Sequence, residues 1–457
     1  MTGALPERAV AEELAARIVA LDPAMLPPAL KAKCRDVLID IVGLCVTARN
    51  EPYVKSALAG VDDDGPCTAI GHRRSLSAAG AALVNGTAAH GEDFDDTFEG
   101  GPVHAGVVIV PAVLAACERH NPSGAAALKG IAVGLDLTCR MSLVVPKAIH
   151  KSGFHPTAVL GAMGAAAAVG AALNLAERQI VDALGIAGSM AGGIIEYLAE
   201  GAWTKRMHPG WAAQSGIRAA LMARAGFNGP RTVFEGTHGL YNGFARTAKG
   251  DYARLTGGFG TRWVAETIAF KPYPCGTMTH PYIDCARRLR QRGIKAVDVV
   301  EIVCEVGEGT VHQLWEPLAA KQRPNNGYSG KFSTPYCIAS AFVRGGVGLE
   351  AFTDAAVKEP AVLALAAKVK YVVDPKNPYP DNYTGHIRAV MRDGSVIEER
   401  QPHLRGGARE PLTSADIEDK FLRNARHGGW SDARAQAALT AARGLFDGPV
   451  RLDAFKG

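Results

Sequence analysis

The chain has 457 residues, of which 47% are apolar and 21% are charged, and its formal net charge is +5. This length exceeds what one compact core usually supports, so we expect two domains, and the composition excludes a disordered chain. The basic residues are spread along the chain and form no tract, which argues against a nucleic-acid partner. A locally basic pocket for an acidic metabolite is compatible with this charge.

Nine scattered cysteines include no Cys-x-x-Cys pair and indicate reduced thiols, so we expect a cytoplasmic protein. The amino-terminal stretch alternates charged and apolar residues at helical spacing and has no signal-type apolar core. Residues 156–175 carry no charge, but they are mostly Ala and Gly, which insert weakly into lipid. We therefore interpret them as a buried helix packed closely on its neighbours, and we expect no membrane contact.

Helical periodicity dominates the first 265 or so residues, which we expect to be all-helical. The segments with helical length or spacing are 5–21, 28–47, 75–91, 107–119, 123–144, 156–175, 176–190 and 211–225. Near Phe270 the pattern changes. VDVVEIVCEV alternates as a half-buried strand does, and HIRAVMR and SVIEERQ flank the turn-forming Asp393-Gly394 pair as a hairpin does.

A further strand in YVVD and a helix in KFSTPYCIASAFVRGG complete this part, and helical spacing returns from Ser414, a candidate amino-terminal cap. These patterns predict a mainly α fold with an α+β insert. The helical domain comprises residues 1–269 and 404–457, and a smaller α+β domain, residues 270–403, is inserted as a lid.

The densest group of carboxylates lies within residues 90–111, HGEDFDDTFEGGPVHAGVVIVP, and contains Asp93, Asp95 and Asp96. Taken alone, this group favours a solvated acidic helix end with Asp96 or Thr97 as a cap. A magnesium site for a diphosphate, of the DDxxD kind, is the sharper alternative. The chain offers no second acidic cluster and no phosphate loop to accompany it.

His155 stands before a proline at the start of the Ala/Gly-rich helix. Unpaired backbone N–H groups at such a helix start favour a substrate carboxylate and a neutral imidazole, and a satisfied core histidine is the alternative. Residues 201–210 form a glycine-flanked loop with Lys205, Arg206 and His208. We expect this loop, about equally, to be solvated or to face a site.

Residues 270–276, FKPYPCG, contain two prolines that stiffen the backbone around Lys271 and Tyr273, as in a hinge or a plain rigid linker. No HxH, HExxH or clustered Cys/His spacing is present, and neither is a GxSxG elbow or a strand-linked GxGxxG. We therefore expect no metal and no cofactor. Together the four stretches supply carboxylate, imidazole and ammonium groups, which suit proton transfer on an anionic substrate.

Six motifs in this order resemble the MmgE/PrpD family along nearly the whole chain: HGEDFDDT with the following His104, GFHPTAVLGAMGAA, TKRMHPGWAAQSG, FKPYPCGTMTH, GKFSTPYCIASAFV and DKFLRNA. The family includes 2-methylcitrate dehydratases, cis-aconitate decarboxylases and an iminodisuccinate epimerase. The resemblance implies a helical domain formed by both chain ends, an inserted α+β lid, and a homodimer.

The resemblance also implies a set of site residues. The active-site set of the decarboxylase members falls on Asp93, Thr97, His104, His155, Lys205 and Lys271. Six residues separate Thr97 from His104, one more than in the decarboxylase pattern, and Ala-Gly follows His104 where Pro-Ser is common. Whether His104 reaches the site is therefore open.

As the resemblance implies, the protein is a cofactor-independent lyase that acts beside a carboxylate of a small di- or tricarboxylic acid. His155 and His104 would transfer protons, Lys205 and Lys271 would hold carboxylates, and Asp93 would orient a histidine or lysine. The expected substrate-binding residues are Thr97, Arg206, Tyr273 and His208.

Three reactions remain open within this family. A dehydratase of the 2-methylcitrate type ranks first because it is the family's commonest assignment, an epimerase of the iminodisuccinate type follows closely, and a cis-aconitate-type decarboxylase is a further alternative. A non-catalytic carboxylate-binding protein with the same fold is the alternative of another class.

Overall fold

The computed structural model describes residues 7–101, 103–247 and 249–457, and the chain divides into two compact units. The first unit comprises the residues up to Gly91, Asp95–Ile268 and Thr413–Gly457, and the second comprises Glu92–Phe94 and Ala269–Leu412. The boundaries expected from sequence are 269/270 and 403/404. The predicted fold class is confirmed, because helices dominate the chain and all four strands of the larger sheet lie in the second unit.

Most of the first unit is helical. Its helices up to residue 268 are α1 Val10–Ala20, α2 Pro28–Ala48, α3 Pro52–Ala59, α4 Ala78–Gly91, α5 Gly106–His120, α6 Gly124–Val144, α7 Ala148–Lys151, α8 Pro156–Ala172, α9 Glu177–Met190, α10 Tyr197–Glu200, α11 Thr204–Arg224, α12 Leu240–Ala245 and α13 Tyr252–Thr256. Short strands interrupt them, namely β1 Asp64–Thr68, β2 Ser75–Leu76, β3 Thr97–Phe98 and β4 Ile268–Ala269. The expectation of an all-helical first part was wrong on this point, because strands this short leave no alternation in the sequence.

Helix α8, the Ala/Gly-rich segment, is buried along its whole length, as its composition predicted. Glycines let its neighbours approach closely: a Cβ added at Gly216 of α11 would lie 2.3 Å from the Cβ of Ala165 in α8. A Cβ at Gly86 of α4 would lie 2.6 Å from the Cα of Gly210 in α11. Close crossings of α4, α8 and α11 therefore depend on residues without side chains. Among the described residues, no helix combines the length and the apolar character that crossing a membrane requires.

Helix α11 begins at Thr204, seven residues earlier than the predicted start at residue 211. Lys205, Arg206 and His208 therefore lie in the first two turns of a helix and not in a loop. The Pro209-Gly210 pair suggested a loop, but a proline this close to a helix start removes only one intrahelical hydrogen bond.

The second unit contains a four-stranded sheet in the order β6-β5-β7-β8, formed by β5 Val299–Val306, β6 Val369–Val373, β7 Gly385–Met391 and β8 Val396–Gln401. Strands β5 and β6 are parallel, and β5, β7 and β8 are antiparallel neighbours. The predicted strands and the hairpin around Asp393-Gly394 are confirmed. The helices of this unit are α14 His280–Gln291, α15 Glu308–Leu314, α16 Leu318–Gln322, α17 Gly327–Gly330, α18 Thr334–Arg344 and α19 Pro360–Ala366.

Two carboxy-terminal helices, α20 Ser414–His427 and α21 Asp432–Arg443, belong to the first unit. Thr413, and not Ser414, caps α20, because its side chain accepts the backbone N–H of Asp416. The buried Lys420 Nζ lies 2.8 Å from Asp40 Oδ1 of α2, so an ion pair joins the end of the chain to its beginning. All nine cysteines are buried and unbridged, as expected for reduced thiols.

Candidate active site

Four imidazoles meet in the first unit where helix ends converge. His90 is the penultimate residue of α4, His104 precedes Ala105, which caps α5, His155 caps α8, and His208 lies in the second turn of α11. Ring centroids are 5.0 Å apart for His90 and His104, 5.8 Å for His90 and His155, and 5.3 Å for His155 and His208. These four residues are called the imidazole cluster below.

Asp95 joins two members of the cluster. Its Oδ2 lies 2.8 Å from Nδ1 of His90 and 3.3 Å from Nδ1 of His104. The side chain of Asp95 is fully buried, and Asp93 and Asp96 are buried as well. The reading of these aspartates as a solvated helix end was wrong, because burial in a crowded core leaves no trace in a run of acidic residues.

Further contacts fix the backbone and ring of His104. Its Nδ1 lies 2.7 Å from the carbonyl oxygen of Asp96, and its backbone N–H donates to Thr157 Oγ1 at 3.1 Å. The ring is 6.4 Å from that of His155, so the longer loop after Thr97 does not remove His104 from the cluster.

Asp96, the residue after Asp95, supplies a second buried carboxyl. Its Oδ2 accepts the backbone N–H of Gly106 at 3.0 Å. Burial, followed by the neighbouring Asp95 charge, raises the pKa of Asp96 to about 7. A Cβ at Gly106 would lie 2.4 Å from Asp96 Oδ1, so the start of α5 requires glycine at this point.

His155 and His208 form a hydrogen-bonded pair with 3.1 Å between their Nδ1 atoms. Burial and then the nearby His90, His208 and Lys205 charges lower the pKa of His155 well below its ordinary value. Burial, followed by His90 and Lys205, lowers the pKa of His208 to about 4. Both imidazoles are therefore neutral at physiological pH.

The remaining predicted residues of the first unit have different surroundings. Lys205 is half-buried on α11 and is close enough for its charge to act on His155 and His208. Thr97 is buried in β3, and the guanidinium of Arg206 lies 4.3 Å above the ring of Tyr53. A cleft of about 540 Å³ opens beside His208, with Gly193, Tyr197 and Trp211 among its walls.

The predicted residues of the second unit form two separate groups. Lys271 is buried, and its Nζ lies 3.2 Å from Asp93 Oδ1 and donates to the Asp93 carbonyl at 3.0 Å. Asp93 has a φ of +55°, which is rare outside glycine and is stabilised here by these contacts. A second buried lysine, Lys331, is 2.7 Å from Glu92 Oε2 and donates to the Glu92 carbonyl at 2.6 Å.

Tyr273 belongs to the other group of this unit. Its hydroxyl donates to Asp284 Oδ1 at 2.6 Å and accepts from Arg405 at 3.0 Å. Burial and the Asp284 charge raise the pKa of Tyr273 to about 12, so the phenol stays protonated. The predicted substrate-binding roles of Tyr273, Arg206 and Thr97 stay predictions.

One set of described side chains has the spacing of metal ligands, because the ligand atoms of His90, Asp95 and His104 lie within 4.8 Å of one another. The hydrogen bonds oppose a metal ion bound through Nδ1 of His104. The Asp96 carbonyl only accepts, so Nδ1 of His104 carries a proton and has no lone pair for a cation. The absence of a metal cofactor stays a prediction.

Sequence reasoning missed His90 and Asp95 as members of the site, and it missed the buried ion pair of Lys331 in the second unit. His90 stands in the last turn of a helix, and Asp95 follows it by five positions. With this spacing the Asp95 carboxylate can fold back onto the His90 imidazole. The spacing is the one feature of the sequence from which the pair could have been predicted. Nothing near Lys331 in the sequence identifies Glu92 as its partner.

The motifs and the fold agree with comparisons to known proteins. The MmgE/PrpD N-terminal domain matches residues 12–253, and the MmgE/PrpD C-terminal domain matches residues 273–444. A cis-aconitate decarboxylase-like protein of Aspergillus oryzae is 28% identical, over 92% of this chain and 91% of its own. The cis-aconitate decarboxylase of Mus musculus is 30% identical over 76% and 71%, and that of Aspergillus terreus is 27% identical over 81% and 79%. The chain belongs to the MmgE/PrpD family.

Proposed function

We propose that this protein is a lyase that moves a proton at the carbon beside a carboxylate of a small di- or tricarboxylic acid. The observation that carries the proposal is the imidazole cluster, where the amino-terminal ends of α5, α8 and α11 meet the carboxy-terminal end of α4. Helix amino termini and the Lys205 ammonium attract substrate carboxylates, and neutral imidazoles can donate or accept a proton. Two of the relatives are cis-aconitate decarboxylases, which belong to the same lyase class.

The pair His155 and His208 supplies both an acid and a base. Two neutral imidazoles joined through their Nδ1 atoms must share one proton, so one ring is the Nδ1–H tautomer and the other carries its proton on Nε2. The first ring offers a bare Nε2 as a base, and the second offers Nε2–H as an acid. A dehydratase needs both groups: the base takes the Cα proton, and the acid protonates the departing hydroxyl.

Decarboxylation of cis-aconitate is the leading reaction within this class. When CO2 departs, the electron pair of the broken C–C bond stays on the remaining carbon as a stabilised carbanion, and an acid then delivers one proton to that carbon. The names of the relatives favour this reaction, and the position of His104 in the cluster supports it. Dehydration of a 2-methylcitrate-type substrate is the second candidate, favoured by the acid and base of the histidine pair. Epimerisation, which needs proton transfer on two faces, is a further outcome of the test.

We also propose that the protein acts as a homodimer. Large apolar side chains are exposed along residues 194–211 of the first unit: Ile194, Leu198, Trp203, Met207 and Trp211. Exposed apolar groups concentrated in one segment are typical of surfaces that bind another protein. Sedimentation of the purified chain should give twice its 47.9 kDa mass, and a monomer at micromolar concentration would contradict this proposal.

The function is tested by offering cis-aconitate, 2-methylcitrate, citrate and iminodisuccinate separately in D2O and following each by NMR. Release of CO2, loss of water and inversion give different products, and deuterium on the reacting carbon reports the proton transfer. A protein that binds these acids without any exchange would be the non-catalytic alternative. Each reaction is repeated with EDTA, because loss of activity on metal removal would contradict a cofactor-independent mechanism.

A further inference from the structure

We propose that Asp95 is a positioning residue that holds His90 and His104 as Nδ1–H imidazoles, and that His90 presents its Nε2 as an additional proton acceptor. This inference deepens the proposed function and rests on it for the catalytic part only. Asp95 and His90 are outside the set of site residues that the sequence implied.

The tautomer of His104 follows from its partners. The Asp96 carbonyl oxygen, 2.7 Å from Nδ1, has no proton to give, so Nδ1 must donate. Asp95 Oδ2, at 3.3 Å from the same atom, is a second acceptor on that side of the ring. A neutral His104 therefore has its lone pair on Nε2.

The same reasoning applies to His90. Its Nδ1 lies 2.8 Å from Asp95 Oδ2, the oxygen that also faces His104. One carboxylate oxygen can accept from two imidazoles, whereas a protonated carboxyl could donate to only one of them. The arrangement therefore fits an ionised Asp95 with both Nδ1 atoms as donors. Burial and the neighbouring Asp95 charge raise the pKa of Asp96 to about 7, which accords with an ionised Asp95 beside it.

The other nitrogen of His90 is available for proton transfer. Its Nε2 has no hydrogen-bond partner among the described residues. The side chain is only 1% exposed, so this nitrogen is buried. The ring lies nearly parallel to that of His155, with 5.8 Å between centroids. When His90 Nε2 accepts a proton, the Asp95 carboxylate balances the imidazolium charge, as it does in hydrogen-bonded carboxylate–histidine pairs generally.

The tautomers can be measured directly in the resting protein. Protein labelled with 15N-histidine is studied by long-range 1H–15N correlation at pH 7.5, and the His90 and His104 signals are assigned from the spectra of His90→Asn and His104→Asn. Both residues are expected as Nδ1–H tautomers, which are the minor form of free histidine. An Nε2–H tautomer for either residue would overturn the inference, and so would a stoichiometric bound metal ion in the purified protein. No substrate is present, so this outcome is independent of the proposed function.

The catalytic part is tested with substitutions that keep the hydrogen bond to Asp95. In His90→Asn the amide Nδ2 replaces Nδ1 as the donor, but nothing replaces Nε2. If His90 transfers a proton, kcat should fall at least about 10²-fold while KM changes little. Asp95→Asn should lower kcat as well, because its amide oxygen can still accept from the rings but the neutral side chain no longer balances the charge of an imidazolium.

A matched control is available in the second unit. His386 is also buried and also lies beside carboxylates, with 2.6 Å between Nδ1 and Glu305 Oε2 and 3.3 Å between Nε2 and Glu398 Oε2. His386→Asn should therefore leave kcat unchanged. Wild-type kcat in a folded His90→Asn protein would overturn the proton-transfer role, and if that variant does not fold, wild-type kcat in a folded Asp95→Asn protein would overturn it. Absence of turnover by wild-type protein on every acid would instead count against the proposed function.

Discussion

Gly210→Ala is expected to disturb two of the helices that carry the imidazole cluster. A Cβ at Gly210 of α11 would lie 2.1 Å from the carbonyl oxygen of Leu83 and 2.8 Å from Thr87 Oγ1, both on α4. Because the carbonyl is a backbone atom, the helices must separate. Overpacking of this kind costs up to about 3 kcal/mol, and alanine regains about 1 kcal/mol of helix propensity. We therefore expect the free energy of unfolding to fall by about 2 kcal/mol.

Gly243→Ala is the matched control, because a Cβ at Gly243 of α12 would meet no heavy atom within 4 Å. This variant should be unchanged or more stable, by up to about 1 kcal/mol. Urea unfolding followed by circular dichroism compares the two variants with wild type. The separation of α4 from α11 also moves His90 relative to His208, so kcat of Gly210→Ala should fall. Equal stability of the two glycine variants would refute the close-crossing argument.

Three further predictions concern buried charges. Asp40→Ala or Lys420→Ala alone should lower the free energy of unfolding by about 3–5 kcal/mol, because each leaves a buried charge without its partner. The double variant Asp40→Leu, Lys420→Met should lower the free energy of unfolding far less. Urea titrations measure both effects. Lys271→Met buries the Asp93 carboxylate without its ammonium and should lower the melting temperature, which Asp93→Asn in the same chain should partly restore. The pKa of Asp96 is raised to about 7, against 3.8 for an unperturbed carboxyl, so protonation of Asp96 favours the folded chain. This stabilisation is complete below about pH 4 and is lost as the pH rises through 7. Asp96→Asn should therefore flatten the dependence of the melting temperature on pH over that range.

Each of these predictions has a clear contrary result. A double Asp40→Leu, Lys420→Met variant as unstable as the single variants would show that the two side chains do not act as a pair. A melting temperature of Lys271→Met equal to wild type would show that its ion pair with Asp93 adds no stability. An unchanged pH dependence in Asp96→Asn would place the titrating group elsewhere.

The sequence predicted much of the fold because its periodicities are local. Helices α2, α5 and α6 fall within one or two residues of their predicted bounds, and the Asp393-Gly394 turn located the hairpin of the second unit. The start of α11 was missed because Pro209 and Gly210 are usually loop residues. In the fold, Gly210 instead allows α11 to approach α4, which is a tertiary requirement and has no local signature.

The candidate site was only partly predictable for the same reason. His155 stands out because a proline and an apolar helix follow it, and the family motifs add His104. Asp95 looked like one of three solvated aspartates, since burial depends on residues distant in sequence. Its role follows only from the folded chain, where one carboxylate oxygen faces two imidazoles.

The most direct test of the central claim is the kcat of His155→Gln on the acid that wild-type protein converts. Glutamine keeps the size of the side chain but cannot exchange a proton near neutral pH, so kcat should fall about 10²–10⁴-fold. Circular dichroism and the melting temperature should match wild type, which separates loss of chemistry from loss of structure. A near-normal kcat in this folded variant would contradict the account, because proton transfer would then not depend on His155.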